Sequence, residues 1–318
     1  MSTALSIFTL VWLAYLLASM RYSVQMFQQN SYRVERYNRW LKQTGEWHSR
    51  MNIAALLAAL CFVFTSHAVA LAIFGVWMLV IAASEFSIKY KIPIAYTMRV
   101  KRLFITRLLF TFAVIALVHI YAVEYTLMAM MLLALDYWTI LANLINRPLE
   151  AAITRWYYND AKRMLRSMPH LKIIGITGSY GKTSVKYYLT TLLKGKYDVL
   201  MTPESYNTPM GVVLTVRNHL RATHEVFVCE MGARNVGDIK ELCDMVHPQF
   251  GIITSVGPQH LETFGTVDNI INTKFELADA IPAEGMVFLN WDNEYIRGRA
   301  MTAPAVTYAI TAAAQYRA

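Results

Sequence analysis

Apolar residues fall into two regimes along this chain. Up to about residue 145 they come in long runs almost free of charge; from residue 171 they come in short runs separated by amphipathic stretches. A membrane span needs about 20 apolar residues, with about 17 as a lower limit. Residues 4–20 reach that limit. Residues 51–84 are too long for one ordinary helix, and a break at Ser66-His67 makes them a hairpin of two short spans. Residues 104–122 and 125–145 make a second hairpin, with Glu124 at its turn. The pattern predicts about five spans in a membrane domain covering residues 1–146.

Residues 147–170 are polar and aromatic and read as a helical connector that Pro169 ends. Beyond it, Lys172–Thr177 (KIIGIT) reads as a buried strand and Lys182–Leu193 as a helix. Val226–Met231 is a second strand, Asn235–Met245 a helix, Phe250–Ser255 a third strand, Val267–Ala280 a helix and Met286–Asn290 another strand. The expected fold is therefore an α-helical transmembrane region followed, over residues 171–318, by an α/β P-loop domain with a mainly parallel sheet. Ligands gather at the carboxyl ends of such strands. There the sequence places a glycine turn after the first strand, Glu230 at the end of the second, His260 in the loop after the third, and Asn290 and Asp292 at the end of the last.

Charge orients this arrangement. The formal net charge is +9, which by itself would suit a nucleic-acid binder. The basic residues instead flank the apolar runs: Arg21, Arg33, Arg36, Arg39, Lys42 and Arg50; then Lys89, Lys91, Arg99, Lys101, Arg102 and Arg107; then Arg147, Arg155, Lys162, Arg163 and Arg166. With two hairpins between them, all three segments lie on one side. The Lys/Arg bias makes that side the cytoplasm and puts the N-terminus outside. No nucleic-acid partner is expected. The same loops also suit anionic membrane lipids or a lipid-linked substrate. Arg21 directly follows the first run and no small-x-small cleavage site stands out, so the run reads as a retained span of a multi-pass plasma-membrane protein. His67, His119 and Glu124 fall near hairpin tips, while Asp136 lies deeper, as an intramembrane acid. The three cysteines, Cys61, Cys229 and Cys243, form no CxxC pair and read as reduced structural thiols.

The candidate chemistry starts at Gly178-Ser179-Tyr180-Gly181-Lys182-Thr183-Ser184. A strand, a glycine turn, Lys-Thr and then a helix point backbone N–H groups and a helix dipole at an anion. In such a loop Lys182 reaches the outer phosphates of a nucleotide and Thr183 ligates Mg²⁺. The strict Walker spacing asks for glycine at position 176, where this chain has Ile176.

The run ITGSYGKTSVK resembles the ATP-binding loop of the Mur ligase family, whose form is TGxxGKT/S. The resemblance continues in order through Tyr206-Asn207-Thr208-Pro209-Met210-Gly211, Glu230-Met231-Gly232-Ala233, Gly257-Pro258-Gln259-His260-Leu261-Glu262, Lys274-Phe275-Glu276 and Asn290-Trp291-Asp292-Asn293. It implies ATP and Mg²⁺ as cofactors and an amide-forming reaction in peptidoglycan or cell-envelope synthesis: a substrate carboxylate is phosphorylated, and an amine displaces the phosphate. Lys182, His260 and Lys274 are implied as catalytic residues. Thr183 and Glu230 resemble ligands of a first Mg²⁺, and His260 a ligand of a second. Lys274 sits where several members carry a carbamylated lysine; unmodified, it could pair with phosphate as a plain cation, and both roles stay open. Asn207 resembles a residue near the metal and the substrate carboxylate, and Asn290 and Asp292 resemble the adenine and ribose region. Each also has a plainer use: a solvated strand-end acid at Glu230, a turn at Asn207 or Asn290.

Two departures from that family bear on function. Its members begin with a soluble domain that holds a UDP-sugar, where this chain has apolar runs, so the carboxylate substrate is either a UDP-linked muropeptide or a lipid-linked compound. Members also end in a further domain, expected here from a longer gene product or a partner chain. A nucleotide switch or assembly module without ligation is the competing reading. A transporter powered by an ATP-binding cassette would need an LSGGQ-like run, and none is present.

Overall fold

The computed structural model describes residues 3–46, 52–53, 55–57, 59–60, 67–122, 125–133, 135–299 and 303–317. The chain divides into two compact units, Met1–Ala151 and Ala152–Ala318.

The first unit is helical. It contains α1 (Thr3–Gln29), α2 (Val34–Thr44), α3 (His67–Ser87), α4 (Met98–Tyr121), α5 (Thr126–Leu133) and the start of α6 (Trp138–Arg166). Residues 52–53, 55–57 and 59–60 are helical as well. Cys61, Ser66 and Glu124, the expected turn positions among them, lie outside the described residues, as does Arg50. Among the described residues two helices are long and apolar enough to cross a membrane, Ile7–Gln29 and Met98–Tyr121, and Ala72–Ser87 is a shorter apolar helix.

The stretch 125–145, expected as one span, is interrupted between α5 and α6. The reason is the polar group at the break. Asp136 is buried; its Oδ1 accepts from the Ser19 hydroxyl at 2.8 Å, and its backbone N–H donates to Asn52 Oδ1 at 3.2 Å. An unbroken helix would commit that N–H to the preceding turn. The buried Arg107 completes the network: Nη1 donates to Ser23 Oγ (2.6 Å) and Thr139 Oγ1 (2.8 Å), and Nη2 to Ser19 Oγ (3.3 Å) and the Leu135 carbonyl (2.8 Å). Arg107→Ala is therefore expected to destabilise this unit by about 3–5 kcal/mol, the usual cost of removing one member of a buried charged network. Denaturation of the full chain in detergent measures it, and an unchanged midpoint would show that the network does not hold the helices.

The expected connector is not a separate element. It continues the last apolar segment as α6, with Pro148 inside the helix. From Ala152 onward α6 belongs to the second unit, where Ala161 and Leu165 enter the core. Tyr158 Oη donates to the Glu241 carbonyl at 3.1 Å, and Arg217 pairs with Asp160.

The second unit is a sheet in the order β2-β3-β1-β4-β5-β6-β7, every pair parallel. Its strands are β1 (Lys172–Thr177), β2 (Val199–Met201), β3 (Val226–Glu230), β4 (Phe250–Ile253), β5 (Met286–Asn290), β6 (Ala305–Ala309) and β7 (Tyr316–Arg317). Its helices after α6 are α7 (Lys182–Leu193), α8 (Pro209–His219), α9 (Asp238–Val246), α10 (Leu261–Phe264), α11 (Val267–Asp279) and α12 (Glu294–Arg297). Covered on both faces, β3 is buried along its whole length. One face packs Phe227, Phe275 and Leu277 into the main core, and the other packs Ile176 and Val228 against Val185 and Leu189 of α7. The mainly parallel sheet expected from sequence is present, and β2, β6, β7 and α8 are added to it.

Candidate functional site

β1 ends in a turn that only glycine can make. Gly178 has φ +151°, and a Cβ there would stand 2.1 Å from Thr254 Oγ1. The turn is stitched to the end of β4. Ser179 N–H donates to the Ser255 carbonyl at 2.7 Å, Ser179 Oγ to the Gly257 carbonyl at 3.0 Å, and Thr254 Oγ1 to the Tyr180 carbonyl at 2.6 Å. Gly181, at φ +81°, caps the N-terminus of α7 without a side-chain bond. The first-turn N–H groups of α7 thus stay free of a capping side chain, as an anion site requires. Lys182 Nζ donates to the Gly178 carbonyl at 2.7 Å, folded back over its own loop.

Three strand ends converge on this loop. Glu230, at the end of β3, is 1% exposed. Thr183 Oγ1 lies 3.2 Å and 3.1 Å from its two carboxylate oxygens, and Asn207 Nδ2 donates to Oε1 at 3.1 Å. Asn207 arrives from the loop after β2. That loop packs so closely that a Cβ on Gly232 would meet the Asn207 side chain at 2.7 Å. Ser179, Tyr180, Gly181, Lys182, Thr183, Ser184, Ser205, Asn207 and Glu230 line one cavity of about 320 Å³. The structure therefore brings together Ser179–Ser184 of the expected loop with Asn207 and Glu230.

His260, Lys274, Asn290 and Asp292 do not line that cavity. His260 is exposed, at φ +56° before α10. Desolvation, then the charges of Arg234, Lys274 and Lys182, hold its imidazole below the ordinary range, which favours the neutral form that ligates metals. Lys274, on α11, is 3% exposed. Burial, then the charge of Lys182, pushes its ammonium down to about 8. Asn290 Nδ2 donates to the Thr254 carbonyl at 2.9 Å, which ties β5 to the segment holding the loop. The Asp292 carboxylate accepts from the backbone N–H groups of Ile310, Thr311 and Ala312 and from the Thr311 hydroxyl, and these bonds lower its pKa. Asn290 and Asp292 line a second cavity of about 380 Å³ with Tyr308, Ala309, Ile310, Tyr316 and Arg317.

Lys186 is the residue of this site to which the sequence reading gave no role. It lies one helical turn beyond Lys182, is fully buried, and places Nζ 3.0 Å from Glu230 Oε2. The available signal was a lysine in the i+4 position behind the loop, on the helix face that the sheet covers. Cys229 and Cys243 are free and buried, and burial pushes the Cys243 thiol up to about 12. Both are free and buried, as expected of reduced structural thiols.

The chain's Mur ligase middle domain match spans residues 176–318. This segment is similar to a Mur ligase middle domain. Over 130 residues the chain is 40% identical to the UDP-N-acetylmuramoyl-tripeptide–D-alanyl-D-alanine ligase of Mycobacterium leprae, covering 41% of this chain and 25% of that protein. Over 159 residues it is 28% identical to the enzyme of the same name from Escherichia coli, covering 48% of this chain and 35% of that protein. Among solved structures, a MurF ligase from Thermotoga maritima in complex with ADP aligns at 30% identity and a TM-score of 0.47, covering 50% of this chain and 37% of that one. The chain thus spans about a quarter to a third of the curated relatives it matches. The matched segment contains every residue of the cavity around Lys182.

Proposed function

We propose that the chain is the nucleotide-handling part of an ATP-dependent amide ligase of the Mur type, anchored in the plasma membrane with its middle domain on the cytoplasmic side. One observation carries this: a phosphate loop, a hydroxyl at Thr183, an amide at Asn207 and a buried carboxylate at Glu230 face a single cavity. Glu230 and Thr183 offer the hard oxygen donors that Mg²⁺ takes. Among the described residues no cluster of three or more His, Cys, Asp or Glu side chains could cage a metal. Mg²⁺ keeps waters and takes phosphate oxygens alongside one or two protein ligands. When bound there, Mg²⁺ would neutralise charge on the phosphates. His260 is the residue proposed for a second ion.

The amides of Gly178–Ser184 and the ammonium of Lys182 hold the outer phosphates. The cavity at Asn290, Tyr308 and Tyr316 suits a purine and ribose, with Asp292 shaping it by holding the 310–312 turn. A carboxylate oxygen of the substrate attacks the terminal phosphorus and ADP leaves. An amine then attacks the acyl carbon, phosphate leaves, and an amide forms. The substrates by class are a carboxylate-bearing muropeptide, UDP-linked or lipid-linked, and an amine. Lys274 serves there as a cation for phosphate or, carbamylated, as a carboxylate.

Membrane anchoring draws support from α1 and α4, whose outer faces expose Leu10, Leu17, Ile105, Leu109, Phe112, Leu117 and Ile120. Membrane lipids are the proposed partner of that surface. Membranes containing the protein, given ATP, Mg²⁺ and candidate muropeptides and amines, should release phosphate only when both a carboxylate and an amine are present. ATP turnover indifferent to every amine would instead favour the nucleotide-switch reading.

A further inference from the structure

Lys186 is the fully buried cation of the middle domain for which the proposed chemistry has no use. It sits on α7 one turn beyond the phosphate loop and does not line the cavity around Lys182. Burying an ammonium is costly unless it is paired and hydrogen-bonded. Here it has two acceptors from two other elements: Glu230 Oε2 at the end of β3, at 3.0 Å, and the backbone carbonyl of Glu204 in the loop after β2. Glu204 is a non-glycine residue held at φ +43°, a conformation that persists only where its surroundings enforce it. The same loop carries Ser205 and Asn207 into the cavity.

Glu230 is thereby fixed from both sides. Oε2 takes Lys186, Oε1 takes Asn207, and Thr183 spans the two. Without Lys186 nothing else in this set ties the carboxylate to the loop backbone at Glu204. We propose that Lys186 is a positioning residue: it sets the orientation of Glu230 and clamps the 203–207 loop to it. Glu230, Thr183 and Asn207 are then presented together to the divalent cation of a metal–nucleotide complex. Lys186 itself touches neither nucleotide nor metal. This rests on the reading that Glu230 and Thr183 face such a complex.

The two failures separate in one experiment. ATP is titrated into the purified full chain in detergent micelles, once in EDTA and once across a Mg²⁺ series. The wild-type protein tests the underlying reading: Mg²⁺ must tighten nucleotide binding, and if it does not, the metal site itself is wrong. Lys186→Met then tests the inference. Nucleotide affinity in EDTA should match wild type, because the loop amides and Lys182 remain. The Mg²⁺ concentration for half-maximal tightening should rise about 10–100-fold, the range seen when a residue supporting a metal ligand is removed. A purely structural lysine would lower the melting temperature and leave that Mg²⁺ midpoint unmoved, and this result overturns the proposal. If Lys186→Met does not fold, Lys186→Gln, which keeps a donor for the Glu204 carbonyl and loses the charge, is read the same way: a raised midpoint supports the clamp, and an unmoved one refutes it.

Discussion

Lys182→Ala should abolish measurable ATP turnover, with a loss of about 10²–10³-fold or more, the scale seen when one donor to a developing negative charge is removed. The side chain stands at the mouth of the loop. Its ammonium rests on the Gly178 and Ser179 carbonyls at 2.7 Å and 3.4 Å, and these are weak holds compared with a phosphate dianion. Burial lowers its pKa while the charge of Glu230 raises it, so the acid across the cavity helps keep the ammonium charged. Its replacement removes a cavity-facing cation and no core packing, so the melting temperature should stay close to wild type. Nucleotide titration on the purified chain gives the answer directly: unchanged affinity together with unchanged turnover would mean that the glycine turn holds no phosphate.

Glu230→Gln should cost both stability and metal dependence, for separable reasons. The substitution keeps the shape of the side chain and an oxygen for Asn207, but it leaves the Lys186 ammonium without its counter-charge in a site that is 0% and 1% exposed on the two partners. Removing one partner of a buried pair costs about 3–5 kcal/mol. Thermal unfolding of the full chain reads that term. Mg²⁺-dependent phosphate release should fall about 10²–10³-fold as well, since a neutral amide is a poor ligand for a hard dication. A variant that melts early yet keeps the wild-type Mg²⁺ response would leave Glu230 as a structural acid and remove it from the metal site.

Which parts of this could be read in advance follows from how local each signal is. The loop at Gly178–Ser184 was legible because its chemistry is contiguous: β1, the turn and α7 are adjacent in sequence. The strands at 172–177 and 286–290 were legible because each is a buried apolar run of ordinary length. β2 was not, since three residues carry no period, and it exists because Val199–Met201 pair with Val226–Val228. The apolar run at 125–145 was misread as continuous because hydropathy counts side chains and takes no account of where one carboxylate finds its partners.

The sequence by itself determined the two regimes of the chain, the parallel α/β order of its second half, and a glycine turn leading into a helix, because apolar periodicity and glycine stereochemistry act over a few residues. Only the tertiary structure decided that Glu230 is held between Thr183, Asn207 and Lys186, that Asp292 braces the 310–312 turn, and that Asp136 breaks a helix to reach Ser19 and Asn52. Each of these is a polar contact between residues distant in sequence. Burial makes such contacts obligatory, but their partners are chosen by which elements the fold sets side by side.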